Sequence, residues 1–149
     1  MRKQISEEKW KELFKLVPRL VTDGVVIQNN KLLLVQRVHE PFKGSWCLPG
    51  GFVDKGERVK KACEREFYEE TGIKSKAVRL IGIYDDPKRD PRGHVISIAF
   101  LLRYKSGKIR VSNESSDVRF FDIEHLPKLP TDHRNIINDA LKILGKRNK

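Results

Sequence analysis

The segment GFVDKGERVKKACEREFYEETGI, residues 51–73, gathers carboxylates in a way that invites a cation. Glu57, Glu66, Glu69 and Glu70 lie on or just before one predicted helix, and a glycine-rich turn at Pro49, Gly50 and Gly51 leads into it. Clustered carboxylates repel one another and cost stability unless positive charge sits among them. Oxygen-only ligands suit hard cations such as Mg²⁺ or Mn²⁺, and Mg²⁺ is commonly held by a few carboxylates together with substrate phosphates. The chemistry suggested is metal-assisted attack on a phosphate compound.

A helix turning about 100° per residue puts Glu66, Glu69 and Glu70 at i, i+3 and i+4, on one face. One and two turns earlier the same arc carries Val59, Ala62 and Cys63, while the opposite arc carries Lys61, Glu64, Arg65 and Tyr68. A helix that used glutamate for solubility would set its acids opposite its apolar side. Here they continue the inward side. The bland alternative is a solvated helix supported by an Arg65–Glu69 pair. An EF-hand is excluded, because its ligands sit in an Asp/Asn loop. A P-loop is excluded, because the chain has no GxxxxGK[ST].

The surrounding pattern supplies elements to hold that helix. Residues 6–16 read as a short amphipathic helix with Ser6 as N-cap, Trp10, Leu13 and Phe14 on one face, and Pro18 as its stop. Residues 21–28 and 32–38 read as strands joined at Asn29-Asn30, and residues 41–45 as a loop. A short strand at 46–48 precedes the glycine turn. The acidic helix is expected over 57–71, closed by Gly72. Strands follow at 77–84, 94–104, 108–111 and 118–123, with a polar loop at 85–93. A last helix over 132–144 presents Ile136, Ile137, Ala140, Leu141 and Leu144 on one face. Mixed strands with three helices predict an α/β or α+β sandwich with a mixed central sheet.

Composition narrows the class. The chain has 149 residues, so one domain over 1–149 is expected, with the 1–17 helix appended and a basic tail at 145–149. No apolar run approaches the roughly 18 residues of a membrane span, and the N-terminus lacks the apolar core of a signal peptide. Cys47 and Cys63 have no metal-site or CxxC spacing, which suits reduced cysteines in a cytoplasmic protein. The net charge is +11, yet residues 51–73 hold five basic and six acidic residues, so the positive surplus lies elsewhere. Such a field attracts anionic substrates. The basic residues are scattered, with one compact cluster at Lys146, Arg147 and Lys149, and no interleaved aromatics suggest a nucleic-acid binder.

Residues 51–73 resemble the Nudix box, Gly-x5-Glu-x7-Arg-Glu-U-x-Glu-Glu-x-Gly-U with U apolar. Gly51, Glu57, Arg65, Glu66, Phe67, Glu69, Glu70, Gly72 and Ile73 fill all nine specified positions. The resemblance implies a Nudix α/β/α sandwich and hydrolysis of a nucleoside diphosphate linked to another group. By position it implies Glu66, Glu69 and Glu70 as metal ligands, the Gly50 carbonyl as a further ligand and Glu57 as an outer metal-site glutamate. Arg65 would orient the carboxylates by ion pairing. The general base stays open among Glu69, Glu70 and, from outside the helix, Glu114.

Substrate choice in this family rests outside the box. The stretch 84–93, YDDPKRDPRG, is similar to a loop of Nudix proteins related to ADP-ribose pyrophosphatases, and Pro87 lies fourteen residues past Ile73, a marker of ADP-ribose preference. Arg89 and Arg92 could grip phosphates or ribose hydroxyls, and Asp90 could accept from a ribose. Residues 21–25, VTDGV, also look like that subgroup; Asp23 could bond adenine or ribose, or serve a turn. Trp46 reads as core or as a base-stacking wall, Arg37 as a phosphate partner or a surface arginine, and His94 as a strand-edge histidine. The resemblance therefore implies ADP-ribose cleavage to AMP and ribose 5-phosphate with Mg²⁺, for which Mn²⁺ can substitute. Related enzymes are often dimers, which adds a homodimer to the expectations. A MutT-like triphosphate hydrolase and a non-catalytic nucleotide sensor or RNA-binding module are the alternatives.

Overall fold

Period-two alternation in the buried strands decides the architecture. Along Leu32–Val35 every side chain is buried, but to two different sides: Leu33 and Val35 join one apolar cluster, Leu32 and Leu34 another. Phe100 and Leu102 likewise separate from Ala99 and Leu101. Strands buried on both faces need a layer on each. In the computed structural model, which describes residues 5–145, helices supply those layers.

The elements run α1 (Glu7–Leu16), β1 (Arg19–Val25), β2 (Ile27–Gln28), β3 (Lys31–Arg37), β4 (Trp46–Cys47), β5 (Gly50–Phe52), α2 (Val59–Thr71), β6 (Lys74–Tyr84), β7 (Val95–Ser106), β8 (Ser115–Asp122) and α3 (His133–Ile143), with a 3₁₀ turn at Ile123–His125. One sheet has the order β5-β1-β7-β6; β1 and β7 run parallel and the other pairs antiparallel. A second sheet orders β2-β3-β4, with β8 also antiparallel to β3. Cys63 and Phe67 of α2 fill the first cluster, and Ile136, Ile137, Ala140 and Leu141 of α3 fill the second. The expected α/β/α sandwich with a mixed sheet is therefore the fold.

Local signals explain most boundaries. The Ser6 hydroxyl accepts from Lys9 N–H and caps α1. Asn29 and Asn30 both take positive φ, 51° and 62°, which a two-residue hairpin of this twist requires. Gly72 closes α2 at φ 78° with its N–H on the Tyr68 carbonyl.

Five expectations are corrected. The 21–28 strand is divided at Val26, because its two halves belong to different sheets. Gly50 and Gly51 form a strand on β1, with Asp23 opposite Gly50, instead of a turn. The acidic helix begins at Val59, so Glu57 precedes it. Residues 108–111 form no strand: Ile109 and Val111 are exposed, and Arg110 N–H bonds the Thr71 carbonyl at the end of α2. Leu144 is 46% exposed, one residue beyond α3. The basic cluster at Lys146, Arg147 and Lys149 lies outside the described residues. Among the described residues no helix is long and apolar enough to cross a membrane.

Candidate active site

The cleft is built where β5 passes over α2. Gly50 and Gly51 bring bare backbone onto the helix: a Cβ at Gly51 would collide with the Glu66 carboxylate. Gly50 N–H donates to Glu70 Oε2 at 3.3 Å. Glu66 and Glu70 lie on the inward arc of α2 with 1% and 9% exposure. Glu114 arrives from the loop before β8, so that oxygens of Glu66, Glu70 and Glu114 fall within 4.8 Å of one another. Like charges this close, in a buried setting, oppose ionisation. Burial first, then Glu66 and Glu114, push the Glu70 carboxyl well above the usual carboxylate range.

Arg65 organises the other side of this cluster. Its Nε and Nη2 donate to the two oxygens of Glu57 at 2.7 and 2.8 Å, a bidentate fork. Nη1 donates to Glu66 at 2.8 Å and to Glu69 at 3.3 Å, and Nη2 also reaches the Phe52 carbonyl of β5 at 3.2 Å. One guanidinium thereby ties the loop before α2, the helix and the strand together. Glu57 first, then Glu66, hold Arg65 firmly protonated against the cost of its burial.

Glu69 differs from the expectation that it continues the inward side. Its side chain is half exposed and faces Arg65. The inward arc is centred on Ala62, Cys63, Glu66 and Glu70, all buried, and Glu69 falls on its flank. Neither Glu57 nor Glu69 lines the cleft.

The cleft has a volume of about 310 Å³, and most residues proposed for substrate contact border it: Asp23, Arg37, Arg89, Asp90 and Arg92. Their commitments differ. Asp23 is buried and accepts from the Ser97 hydroxyl at 2.5 Å. Arg37 Nε donates to the Pro41 carbonyl at 2.8 Å. Arg92 forks onto Asp90 at 3.1 and 2.8 Å while its side chain stays 36% exposed. Burial alone would raise the Asp90 carboxyl, but Arg92 outweighs it and holds it low.

Arg89 is the larger surprise. It is 5% exposed and forks onto Asp132 at 2.8 and 2.7 Å, fastening the 84–93 loop to the start of α3. Its Nε and Nη2 are thereby committed to Asp132 within the protein. Trp46 does not reach the cleft: it packs edge-on against Phe121, ring centroids 4.7 Å apart, in the α3-side core. His94 also stands away, with Nε2 at 3.2 Å from the Asp85 carbonyl.

His133 went unnoticed in the sequence, yet it lines the cleft. Leu48 N–H donates to its Nδ1 at 3.1 Å, which places the ring proton of the neutral form on Nε2, 3.8 Å from Asp23 Oδ1. Burial lowers its pKa below the ordinary 6.5, outweighing the attraction of Asp23. Its partner is 85 residues away, so no local pattern could have flagged it. Cys47 also lines the cleft, but burial, reinforced by Glu70, pushes its thiol up to about 12, which leaves no thiolate for nucleophilic work.

This arrangement has counterparts. The NUDIX domain family model matches residues 18–140. An ADP-ribose pyrophosphatase of Methanocaldococcus jannaschii is 46% identical over 127 residues, covering 85% of this chain and 75% of that protein. Among solved structures, an ADP-ribose pyrophosphatase from Streptococcus suis superposes with a TM-score of 0.72 at 32% identity, covering 89% of this chain and 95% of that one. The NUDIX domain of Shewanella oneidensis NrtR, crystallised with ADP ribose, gives a TM-score of 0.76 at 25% identity, covering 94% and 99%. Other curated relatives are longer, and the chain spans half their length or less. A carboxylate cluster beneath a glycine strand, flanked by one organising arginine, in a chain matched in sequence over most of its length, makes this protein a member of the Nudix hydrolase family.

Proposed function

We propose that this protein hydrolyses the diphosphate linkage of ADP-ribose, giving AMP and ribose 5-phosphate, with Mg²⁺ as its ion and Mn²⁺ able to substitute. The observation that carries the reading is the convergence of Glu66, Glu70 and Glu114 beneath Gly50. The donor set fits a hard divalent cation, because it is all oxygen and crowds carboxylates at Glu70, whose carboxyl is pushed up by burial first and then by Glu66 and Glu114. Glu66 and Glu70 would hold the ion, with the Gly50 carbonyl, Glu69 and Glu57 completing or supporting the set. When bound, the ion offsets the charge of the diphosphate oxygens and acidifies a water.

The chain's own residues do the rest. Arg65 fixes Glu57, Glu66 and Glu69 in one frame, so the carboxylates need no rearrangement when substrate arrives. Arg92, partly exposed at the rim, and Arg37 in the wall face the anionic diphosphate. Asp23 accepts from a ribose hydroxyl. Glu114, exposed to water, serves as general base: it takes the proton of the attacking water as the new P–O bond forms and the bridging P–O bond breaks.

The substrate follows from similarity to the archaeal and streptococcal pyrophosphatases and from the loop 84–93 at the cleft mouth. A cytoplasmic location and a homodimer complete the reading. Two buried free cysteines suit a reducing compartment, and exposed Val78, Leu80 and Ile83 on edge strand β6 offer an apolar surface to a second copy. The test is a product screen with Mg²⁺ over ADP-ribose, other nucleotide sugars, dinucleotides and triphosphates. ADP-ribose should be cleaved most efficiently, to AMP and ribose 5-phosphate. Preferred pyrophosphate release from a triphosphate would overturn the assignment, and binding of ADP-ribose without cleavage would mark a sensor.

A further inference from the structure

The amphipathic face of α1 is spent outside both core clusters. None of its residues is fully buried, and an isolated helix this short is marginal in water, so α1 is held by what its rings touch. Trp10 and Phe14 gather on Phe52, the last residue of β5, with ring centroids 4.9 and 6.0 Å away. Two guanidinium groups lie over these rings. Arg19 stands 4.5 Å from the centre of Trp10 and 5.6 Å from that of Phe52. Arg92 stands 5.4 Å from Phe52 and 5.8 Å from Phe14. Three rings and two arginines thus join α1, the start of β1, the end of β5 and the 84–93 loop.

From this geometry we infer that Phe14 is a positioning residue that acts through Arg92: the docking of α1 sets the Arg92 guanidinium at the cleft rim, where the diphosphate arrives. The inference rests on the proposed function, which gives Arg92 its substrate role, and adds the residue that orients it. The Arg92 side chain forks onto Asp90, which is 10% exposed, and the Arg92 N–H bonds the same carboxylate at 2.9 Å. The fork fixes one edge of the guanidinium, and the Phe14 and Phe52 rings fix its face. Phe14 also packs on the neighbouring backbone. A Cβ at Gly93 would stand 3.0 Å from the Phe14 ring, and Gly93 takes a φ of 153°, so bare backbone lets the helix approach this turn. Arg92 borders both the cleft and the groove beneath α1, which puts the contact at the edge of the site. Arg19 borders neither, so its part is to hold the helix. An arginine held in place before the anion arrives loses less freedom on binding than a loose one, and the difference appears in KM.

The test is a double-mutant cycle of Phe14→Leu, which keeps an apolar contact and removes the ring, with Arg92→Ala. Phe14→Leu alone should raise the KM for ADP-ribose about two- to fivefold, the loss of one cation–π contact, with kcat changed less than about twofold. In the Arg92→Ala background the same substitution should leave KM unchanged, whereas a general loosening of the fold would raise it in both. Phe14→Tyr should keep the wild-type KM. The Arg92 Nε–H resonance, identified by its absence in Arg92→Ala, should move in Phe14→Leu and stay in Phe14→Tyr. An unchanged KM in Phe14→Leu, an equal rise in both backgrounds, or an Nε–H resonance that does not move would overturn the positioning role. A resonance that moves in a protein that does not cleave ADP-ribose would instead sink the function and keep Phe14 as the residue that orients Arg92.

Discussion

Replacing Glu70 by Gln should stabilise the metal-free protein while abolishing its activity. Glu70 is 9% exposed and shares a 4.8 Å cluster with Glu66 and Glu114. At an effective dielectric near 20, one like-charge pair at that separation costs about 3.5 kcal/mol. Protonation sets a ceiling on the loss. A carboxyl raised above its ordinary 4.5 gives full stability below that pH and loses it as pH rises toward the folded value. By pH 7 the loss is at most about 3.4 kcal/mol, at about 1.4 per pH unit. Glutamine keeps the acceptor for Gly50 N–H and removes the charge, so about 1–3 kcal/mol should return. For a chain of this size that is roughly 3–10 °C in Tm, read by thermal melts at pH 7 in EDTA. With Mg²⁺ the order should narrow or invert, because the wild type gains about 2.7 kcal/mol at a hundredfold excess over Kd and the variant does not. A Glu70→Gln protein no more stable in EDTA would mean that Glu70 carries no charge penalty, and one that gains as much from Mg²⁺ as the wild type would mean that Glu70 does not hold the ion.

Three other variants probe the frame around the cluster. Arg65→Lys keeps the charge but loses the fork onto Glu57, and should weaken Mg²⁺ activation about 10- to 100-fold in a metal titration of the rate. Arg89→Ala leaves the partly buried Asp132 without its fork and should cost about 1–3 kcal/mol in urea unfolding, with Arg89→Leu/Asp132→Leu recovering most of it, whereas Arg92→Ala should act on KM and spare stability. Burial lowers the His133 pKa in the fold, so as pH falls through 6.5 the unfolded chain takes up the proton before the native one; wild-type stability should fall there by up to about 1.4 kcal/mol per pH unit more than that of His133→Gln, seen in melts from pH 7 to pH 5.

What could be read from the sequence was what is local. Glu66 and Glu70 are one helical turn apart, so spacing alone placed them together, whereas the helical wheel set Arg65 on the opposite arc and its bond to Glu66 had only the family resemblance to suggest it. The Asn29-Asn30 hairpin and the Ser6 and Gly72 caps are each decided within a few residues. Contacts that close over long separations were not legible. Arg89 meets Asp132 across 43 residues, and His133 meets Leu48 across 85. Residues 108–111 have strand-like types but no strand beside them, and β propensity without a partner decides little. Gly50 and Gly51 look like a turn until the helix beneath is seen. The strand needs glycine at 51 because the Glu66 carboxylate fills the space of a side chain, and at 50 because the Thr22 carbonyl and Asp23 do.

Whether an ion held by Glu66 and Glu70 drives the cleavage is decided by the rate of AMP formation from ADP-ribose as free Mg²⁺ is raised from zero, for wild type and Glu70→Gln. No AMP should form in EDTA, the wild-type rate should rise saturably with Mg²⁺, and a Glu70→Gln protein that remains folded should lose nearly all turnover. AMP formation that persists in EDTA, or a Glu70→Gln protein turning over at the wild-type rate, would contradict it.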